Sequence, residues 1–176
     1  MKPETRLPDG VDVRPAAAAE EPVLANLLEL YAHDFSALAD LQLHPAGRYG
    51  YRELPLYWRE ATRFPFLVRV DGFLAGFALV ARGSRVSSDP DVWDMAEFFV
   101  VRRHRRHGIG AAAAHEVFRR FPGRWELRVM EGNLPALAFW SAAVGAFTGA
   151  PAEGVFTQVA QKRWQVFAFV SPGSAA

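Results

Sequence analysis

Six residues, Arg105-Arg106-His107-Gly108-Ile109-Gly110, separate an apolar strand-like run from an alanine-rich helix-like run, and this junction constrains the fold more than any other stretch. Upstream, Met95-Ala96-Glu97-Phe98-Phe99-Val100-Val101 has the aromatic and β-branched content of a mostly buried strand. Downstream, Ala111 to Arg120 consists of strong helix formers and stops before Phe121-Pro122-Gly123. A strand entering a helix through a glycine turn presents free backbone N–H groups at the positive end of a helix dipole, a natural phosphate site. Gly108 and Gly110 lack the Cβ atoms that would block an anion's approach; the alternative is that glycine serves packing at the helix N-terminus. The pattern lacks the third glycine of the dinucleotide fingerprint and the Gly-Lys-Ser/Thr ending of a P-loop.

The rest of the chain reads as one α/β domain, residues 1–176, with flexible tails at 1–10 and 171–176. Val11 to Arg14 alternates as a short strand, and Pro22 to His33 carries a helical leucine face. A loop spans 42–47. A second helical stretch, Tyr49 to Arg63, is interrupted or in part started by Pro55. Residues 66–70 and 73–80 form a hairpin across Asp71-Gly72, a type I′ turn pair. A loop over 82–91 leads to strand 92–101, helix 108–120, strand 125–130 and helix 133–144; Phe147 and 164–170 are expected to be closing strands. The hairpin makes the early sheet antiparallel, whereas the helical crossover makes strands 92–101 and 125–130 parallel.

Composition narrows the function classes. Half of the residues are hydrophobic (51%), far from the disordered range, and a chain of 176 residues buries a core unaided. The absence of cysteine excludes disulfides, thiolate metal sites and a cysteine acyl-enzyme. No stretch has the length of a membrane span and the N-terminus has no signal-like apolar region, so a cytoplasmic location without membrane partners is expected. The net charge of +1 does not favour nucleic acid. The run Arg102 to His107 is either a solvated turn or an attractor for phosphates; no aromatic stacking platform accompanies it. His44, His104 and His115 have no metal-site spacing, and no metal is expected.

The pattern Arg-x-x-Gly-x-Gly at 105–110 resembles the coenzyme A pyrophosphate loop of the GNAT N-acetyltransferase superfamily. The likeness extends through strand Trp125–Val129, the Asn133-x-x-Ala136 helix with its Phe139-Trp140 pair, and Val144-Gly145-Ala146-Phe147, a Gly-Phe-like turn into a strand. With Leu27 to Ser36, Tyr49-Gly50-Tyr51 and Val70 to Phe77, the chain is similar to a bacterial GNAT subgroup of predicted acetyltransferases. The resemblance implies a mixed, mostly antiparallel sheet flanked by helices. Its parallel pair is splayed to form the acyl-CoA cleft. The implied activity is transfer of an acyl group, acetyl by expectation, from acetyl-CoA directly to an amine of a small molecule or protein. The alternative is a non-catalytic acyl-CoA-binding regulatory module, and the oligomeric state, monomer or homodimer, is open.

By match to the motif, Arg105, Arg106, His107, Gly108, Ile109, Gly110 and Ala111 hold the pyrophosphate, mainly through backbone N–H groups. Phe98, Phe99 and Val100 lend backbone groups to the pantetheine and the thioester carbonyl, where one well-aimed donor is worth about 3 kcal/mol. Trp140 stands where many relatives have a tyrosine acid; an indole cannot fill that role, so Trp140 is expected to wall the groove. Asn133 either bonds the pantetheine or caps its helix.

Glu97 is the candidate catalytic base. An amine of pKa near 10.4 costs about 4–5 kcal/mol to deprotonate at pH 7, and a carboxylate in an apolar strand has its pKa raised toward neutrality. Alternatively Glu97 pairs with Arg69 or Arg128; Asp94 and Glu131, near strand ends, are the other candidates for the base, or simply bind a cationic substrate. Tyr31 and Tyr51 are the expected acceptor contacts, within an aromatic set that includes His33, Tyr49 and Trp58 and that helix packing also explains.

Overall fold

The structure is a computed structural model that describes residues 8–172. Seven strands form one sheet in the order β1-β2-β3-β4-β5-β7-β6. They are β1 (Val11–Pro15), β2 (Arg63–Val70), β3 (Phe73–Arg82), β4 (Trp93–Val100), β5 (Gly123–Met130), β6 (Val155–Val159) and β7 (Lys162–Ser171). Helices α1 (Glu21–Phe35) and α2 (Leu56–Arg59) cover one face, and α3 (Ile109–Arg120) and α4 (Leu134–Thr148) the other. Every pairing is antiparallel except β4 with β5. This is the mixed, mostly antiparallel sheet expected from the sequence.

Alternation on the strands sorts the side chains into two cores. Val68, Ala78, Val80, Met95, Trp125, Leu127 and Val129 pack against Val117, Phe118 and Val144 of α3 and α4. Leu67, Phe77, Leu79 and Phe99 pack against Leu24, Leu27 and Leu28 of α1 and Tyr57 of α2. Between α3 and α4, buried His115 donates from Nε2 to the Ala143 carbonyl at 2.7 Å. Burial pushes its pKa down, so the neutral ring that can rest there costs no buried charge. The turn between β2 and β3 has φ of 51° at Asp71 and 82° at Gly72, the two left-handed residues that a type I′ turn needs.

Three expectations are corrected. The stretch 49–63 is helical only over the single turn of α2, which Pro55 starts as its N-cap; Gly50, at φ 72°, breaks the pattern before it, and Arg63 already belongs to β2. Residues 144–147 do not turn into a strand. Helix α4 continues through Phe147 to a left-handed cap at Gly149. Gly145 is helical, and a Cβ there would stand 3.2 Å from the Ala150 carbonyl, where the chain folds back. The strand expected at Phe147 instead forms at β6. Finally, the tails fall mostly outside the described residues, but Ser171 is the buried end of β7, its hydroxyl donating to the Phe118 carbonyl at 2.7 Å.

Candidate active site

Strands β4 and β5 begin as hydrogen-bonded neighbours and then part. Only Trp93↔Trp125 and Asp94↔Glu126 are in register, so β4 from Met95 to Val100 has no partner on its β5 side. The gap opens into a cavity of about 330 Å³ bounded by α1, the 41–51 loop, β4, β5 and the start of α4. Glu29 holds that loop in place, its carboxylate accepting from the backbone N–H groups of Tyr49 and Gly50 at 2.8 and 2.9 Å.

One extra residue in β4 sets which side chains reach the cavity. Met95 is opposite Val80 and Glu97 is opposite the adjacent Leu79, so Ala96 is a bulge. Beyond it, Glu97 and Phe99 face α1, and Phe98 faces α4, stacked on Phe139 with centroids 5.8 Å apart and edge-on to Trp140 at 5.1 Å. Trp140 is 7% exposed and lines the cavity.

Glu97 is bracketed by phenols. Tyr31 donates to Oε2 at 2.7 Å and Tyr51 to Oε1 at 3.3 Å. Burial pushes the Glu97 carboxyl above the ordinary range, against the two hydrogen bonds and the Arg128 and Arg85 charges, which favour ionisation. Burial and the neighbouring carboxylate push both tyrosines well up, so they remain donors at neutral pH. The ion pairs weighed against this arrangement go elsewhere. Arg69 meets Glu20 at 3.5 Å, and Arg128 meets Asp94 through Nη1, at 3.1 and 3.0 Å from its two oxygens. Asp94 is buried and itself raised by burial despite Arg128. Glu131 follows the end of β5 and is paired with Arg163 at 3.2 Å.

At the other end of β4, the chain turns through Arg102–His104 into the glycine junction. Arg106 has φ 64° and Gly108 φ 76°, the latter serving as the left-handed N-cap of α3. From Arg106 to Ala111 no backbone N–H has a hydrogen-bond partner among the described residues. Six unpaired donors at the start of a twelve-residue helix fit the demands of a pyrophosphate. The two glycines differ in their roles: a Cβ at Gly108 would meet nothing within 4 Å, whereas one at Gly110 would be 3.1 Å from the Phe139 ring. Gly108 is needed for its backbone conformation, Gly110 for the approach of α4. Arg105 also departs from the expected role. Its N–H donates to the Arg102 carbonyl at 3.2 Å, and its guanidinium is committed to the Val100 carbonyl at 2.7 Å and Asp34 at 2.6 Å. It straps the junction to α1, and Arg102 reaches the other Asp34 oxygen at 2.6 Å.

Asn133 performs its helix-capping role, its side chain accepting from the Ala136 N–H at 3.2 Å, and also borders the cavity. Among the other aromatic candidates, Tyr49 lines the cavity, while Trp58 donates to the Ala16 carbonyl at 2.9 Å as part of the core. His33 is an exposed residue near the end of α1. The sequence reading missed Arg128 as a cavity residue in its own right, along with Trp164. The alternation of Glu126 and Arg128 with Trp125, Leu127 and Val129 carried a signal for Arg128, since it puts the polar pair on the α1 face.

The sheet thus opens at its parallel pair, with a helix N-terminus at the outer end of the gap and a carboxylate at the inner end. The chain belongs to the acetyltransferase (GNAT) family, whose model matches residues 24–146. No curated protein matches the chain in sequence. Among solved structures it is similar to an acetyltransferase from Thermus thermophilus, at 17% identity over 91% of this chain and 96% of that one, with a TM-score of 0.66. Arabidopsis thaliana NAA60 in complex with acetyl-CoA is similar at 14% identity over 91% and 98% of the two chains, with a TM-score of 0.59. The ribosomal-protein-S18-alanine N-acetyltransferase of Escherichia coli is similar at 14% identity over 94% and 96%, with a TM-score of 0.57. At these identities the likeness establishes the fold.

Proposed function

We propose that this acetyltransferase moves the acetyl group of acetyl-CoA to a primary amine, with Glu97 as the base. The observation that carries the reading is the Glu97 carboxylate, raised by burial and held by two phenols, at the cavity where β4 leaves β5. Acetyl-CoA supplies an acetyl group already activated as a thioester. The unpaired N–H groups of Arg106 to Ala111 would hold its pyrophosphate, and the open edge of β4 beside Phe98, Phe99 and Val100 would lie along its pantetheine. In the transfer the amine nitrogen forms a bond to the carbonyl carbon, the carbon–sulfur bond breaks, the amine proton passes to Glu97, and the thiolate leaves. A thiol of pKa about 8.5 needs little help to depart, so Trp140 in place of an acid is compatible with turnover.

A carboxylate whose pKa burial raises is a stronger base than an ordinary one, which suits this step. Relatives that act on protein amines share the fold, which supports an amine as the acceptor. The test is to incubate the protein with acetyl-CoA and a panel of primary amines, measuring free thiol and N-acetyl product together. Thiol release matched by N-acetyl product, and largely lost in Glu97→Gln, supports the reading. Acetyl-CoA binding with no acetylated amine at any pH favours the binding-module alternative.

A further inference from the structure

The cavity holds one cation whose hydrogen-bonding capacity is mostly unused. Arg128 uses Nη1 alone, on Asp94, and its Nε and Nη2 donors have no partner among the described residues. The side chain is 14% exposed, and that exposure is to the cavity it lines. A guanidinium presents its N–H groups in a planar fork that matches a carboxylate, and the unused donors of Arg128 are open to a ligand in the cavity. Trp164 backs the guanidinium, with its ring centroid 5.5 Å from Arg128 Cζ, and limits the directions in which it can turn.

Two guanidinium groups converge on this floor. Asp94 is the one carboxylate that Arg128 contacts, and it is shared: Arg85, whose nearer partner is Glu53 at 2.9 Å, approaches the same Asp94 oxygen at 3.7 Å. Glu97 faces the same cavity from further along β4, raised by burial. A ligand with an ammonium group for Glu97 and an anionic group for the Arg128 fork balances both ends, whereas a plain monoamine leaves the guanidinium donors unpaired. Tyr31, Tyr49, Phe35 and Leu28 form the remaining wall and suit an apolar body.

Resting on the N-acetyltransferase reading above, we infer that the acceptor is an amine that also bears a carboxylate, an apolar or aromatic amino acid, with Arg128 as the residue that selects for the carboxylate. A free amino acid keeps the carboxylate beside its amine, whereas a protein terminus has lost it in the peptide bond.

The experiment uses matched sets of acceptors with one side chain: the free amino acid, its amide and its decarboxylated amine. The wild-type protein is expected to show kcat/KM for the acid about 10²-fold above the other two, since a site built to bond a polar group discriminates strongly against analogues that lack it. In the double variant Asp94→Asn/Arg128→Gln, which removes both charges together and so leaves neither buried alone, that ratio should fall toward one, through KM for the acid. Amides and amines acetylated as well as the acid by wild-type protein overturn the carboxylate inference and leave N-acetylation standing. A preference for the acid that survives in the folded double variant overturns the role of Arg128. Failure of every acceptor, with acetyl-CoA still bound, overturns N-acetylation itself and this inference with it. Should the double variant not fold, the wild-type ratio alone decides for or against the carboxylate.

Discussion

Tyr31 and Glu97, 66 residues apart in the chain, meet at 2.7 Å, and this contact ties the roof of the cavity to its floor. It joins α1 to the bulged part of β4, so the position of the candidate base depends on how α1 packs. The phenol also opposes burial: by donating to the ionised carboxylate it keeps Glu97 from rising further.

Glu97→Gln keeps the shape of the side chain but cannot accept a proton. It is expected to lower kcat by about 10²–10³ at neutral pH, with a deficit that shrinks as pH rises and free amine accumulates. The wild-type rate itself should rise with pH through the elevated Glu97 pKa. A pH–rate profile from 6 to 9 checks both, and superimposable profiles for the two proteins would remove Glu97 from the mechanism.

The same substitution should stabilise the fold above neutrality. A carboxyl whose pKa is raised on folding binds its proton more tightly in the folded state. Folding stability therefore falls as pH climbs from the unfolded value, about 4.3, through the raised folded value. Glutamine is free of that penalty. Melting temperatures of the two proteins should lie close together near pH 4 and separate at pH 8 with the variant higher; a lower variant at pH 8 would mean that the ionised carboxylate is stabilised by its neighbours.

Tyr31→Phe deletes the shorter of the two phenol contacts to Glu97, and Tyr51→Phe the longer, at 3.3 Å. Both should move the acidic limb of the rate profile to higher pH, Tyr31→Phe further. A charge-assisted hydrogen bond is worth about 1.5–3 kcal/mol, which corresponds to a shift of about one to two pH units. A fall in rate with no shift of the limb would assign the tyrosines to acceptor contact alone.

The two junction glycines should respond differently. Gly108→Ala puts an L residue in a left-handed conformation, at a cost of about 1–2 kcal/mol, yet with open space for the methyl group. Gly110→Ala keeps a helical backbone and presses on Phe139, which is stacked on Phe98. Bulky residues at either site should weaken acetyl-CoA binding by at least about 2 kcal/mol, read by calorimetry on folded protein. Unchanged affinity in both would sink the loop assignment.

Trp140→Phe should retain most of its turnover, because the indole supplies no proton, while losing about 1–3 kcal/mol of stability from the vacated volume. Denaturation and steady-state kinetics separate the two effects. A thousandfold loss in kcat with normal acetyl-CoA affinity would restore a chemical role to this position.

What the sequence disclosed follows from the range of the forces involved. Strand, turn and helix around residues 95–120 were legible because periodicity and glycine placement act locally, and Glu97 stood out as a carboxylate in an apolar run. The extent of α4 was not legible. Gly145 continues the helix and gives room to the Ala150 carbonyl, a contact that a local pattern cannot reveal. The 49–63 stretch had helical composition, but Glu29 fixes its first turn from another element. Arg128 was visible as a charge on an alternating strand. Its partner had to await the pairing of β4 with β5, since Asp94 is 34 positions away. The bulge at Ala96 is the least readable feature, because it is defined only by what lies across from it.

The brevity of the β4–β5 pairing has a mechanical consequence. Strands β1 to β4 and β5 to β7 are two panels whose edges pair over two residue pairs, while the core under α3 and α4 spans both. A molecule bound along the open edge touches both panels and acts as a clasp, closing the seam that the backbone leaves undone. Amide protons of β5 and β7 are then expected to exchange more slowly with acetyl-CoA present than without it, which hydrogen exchange measures.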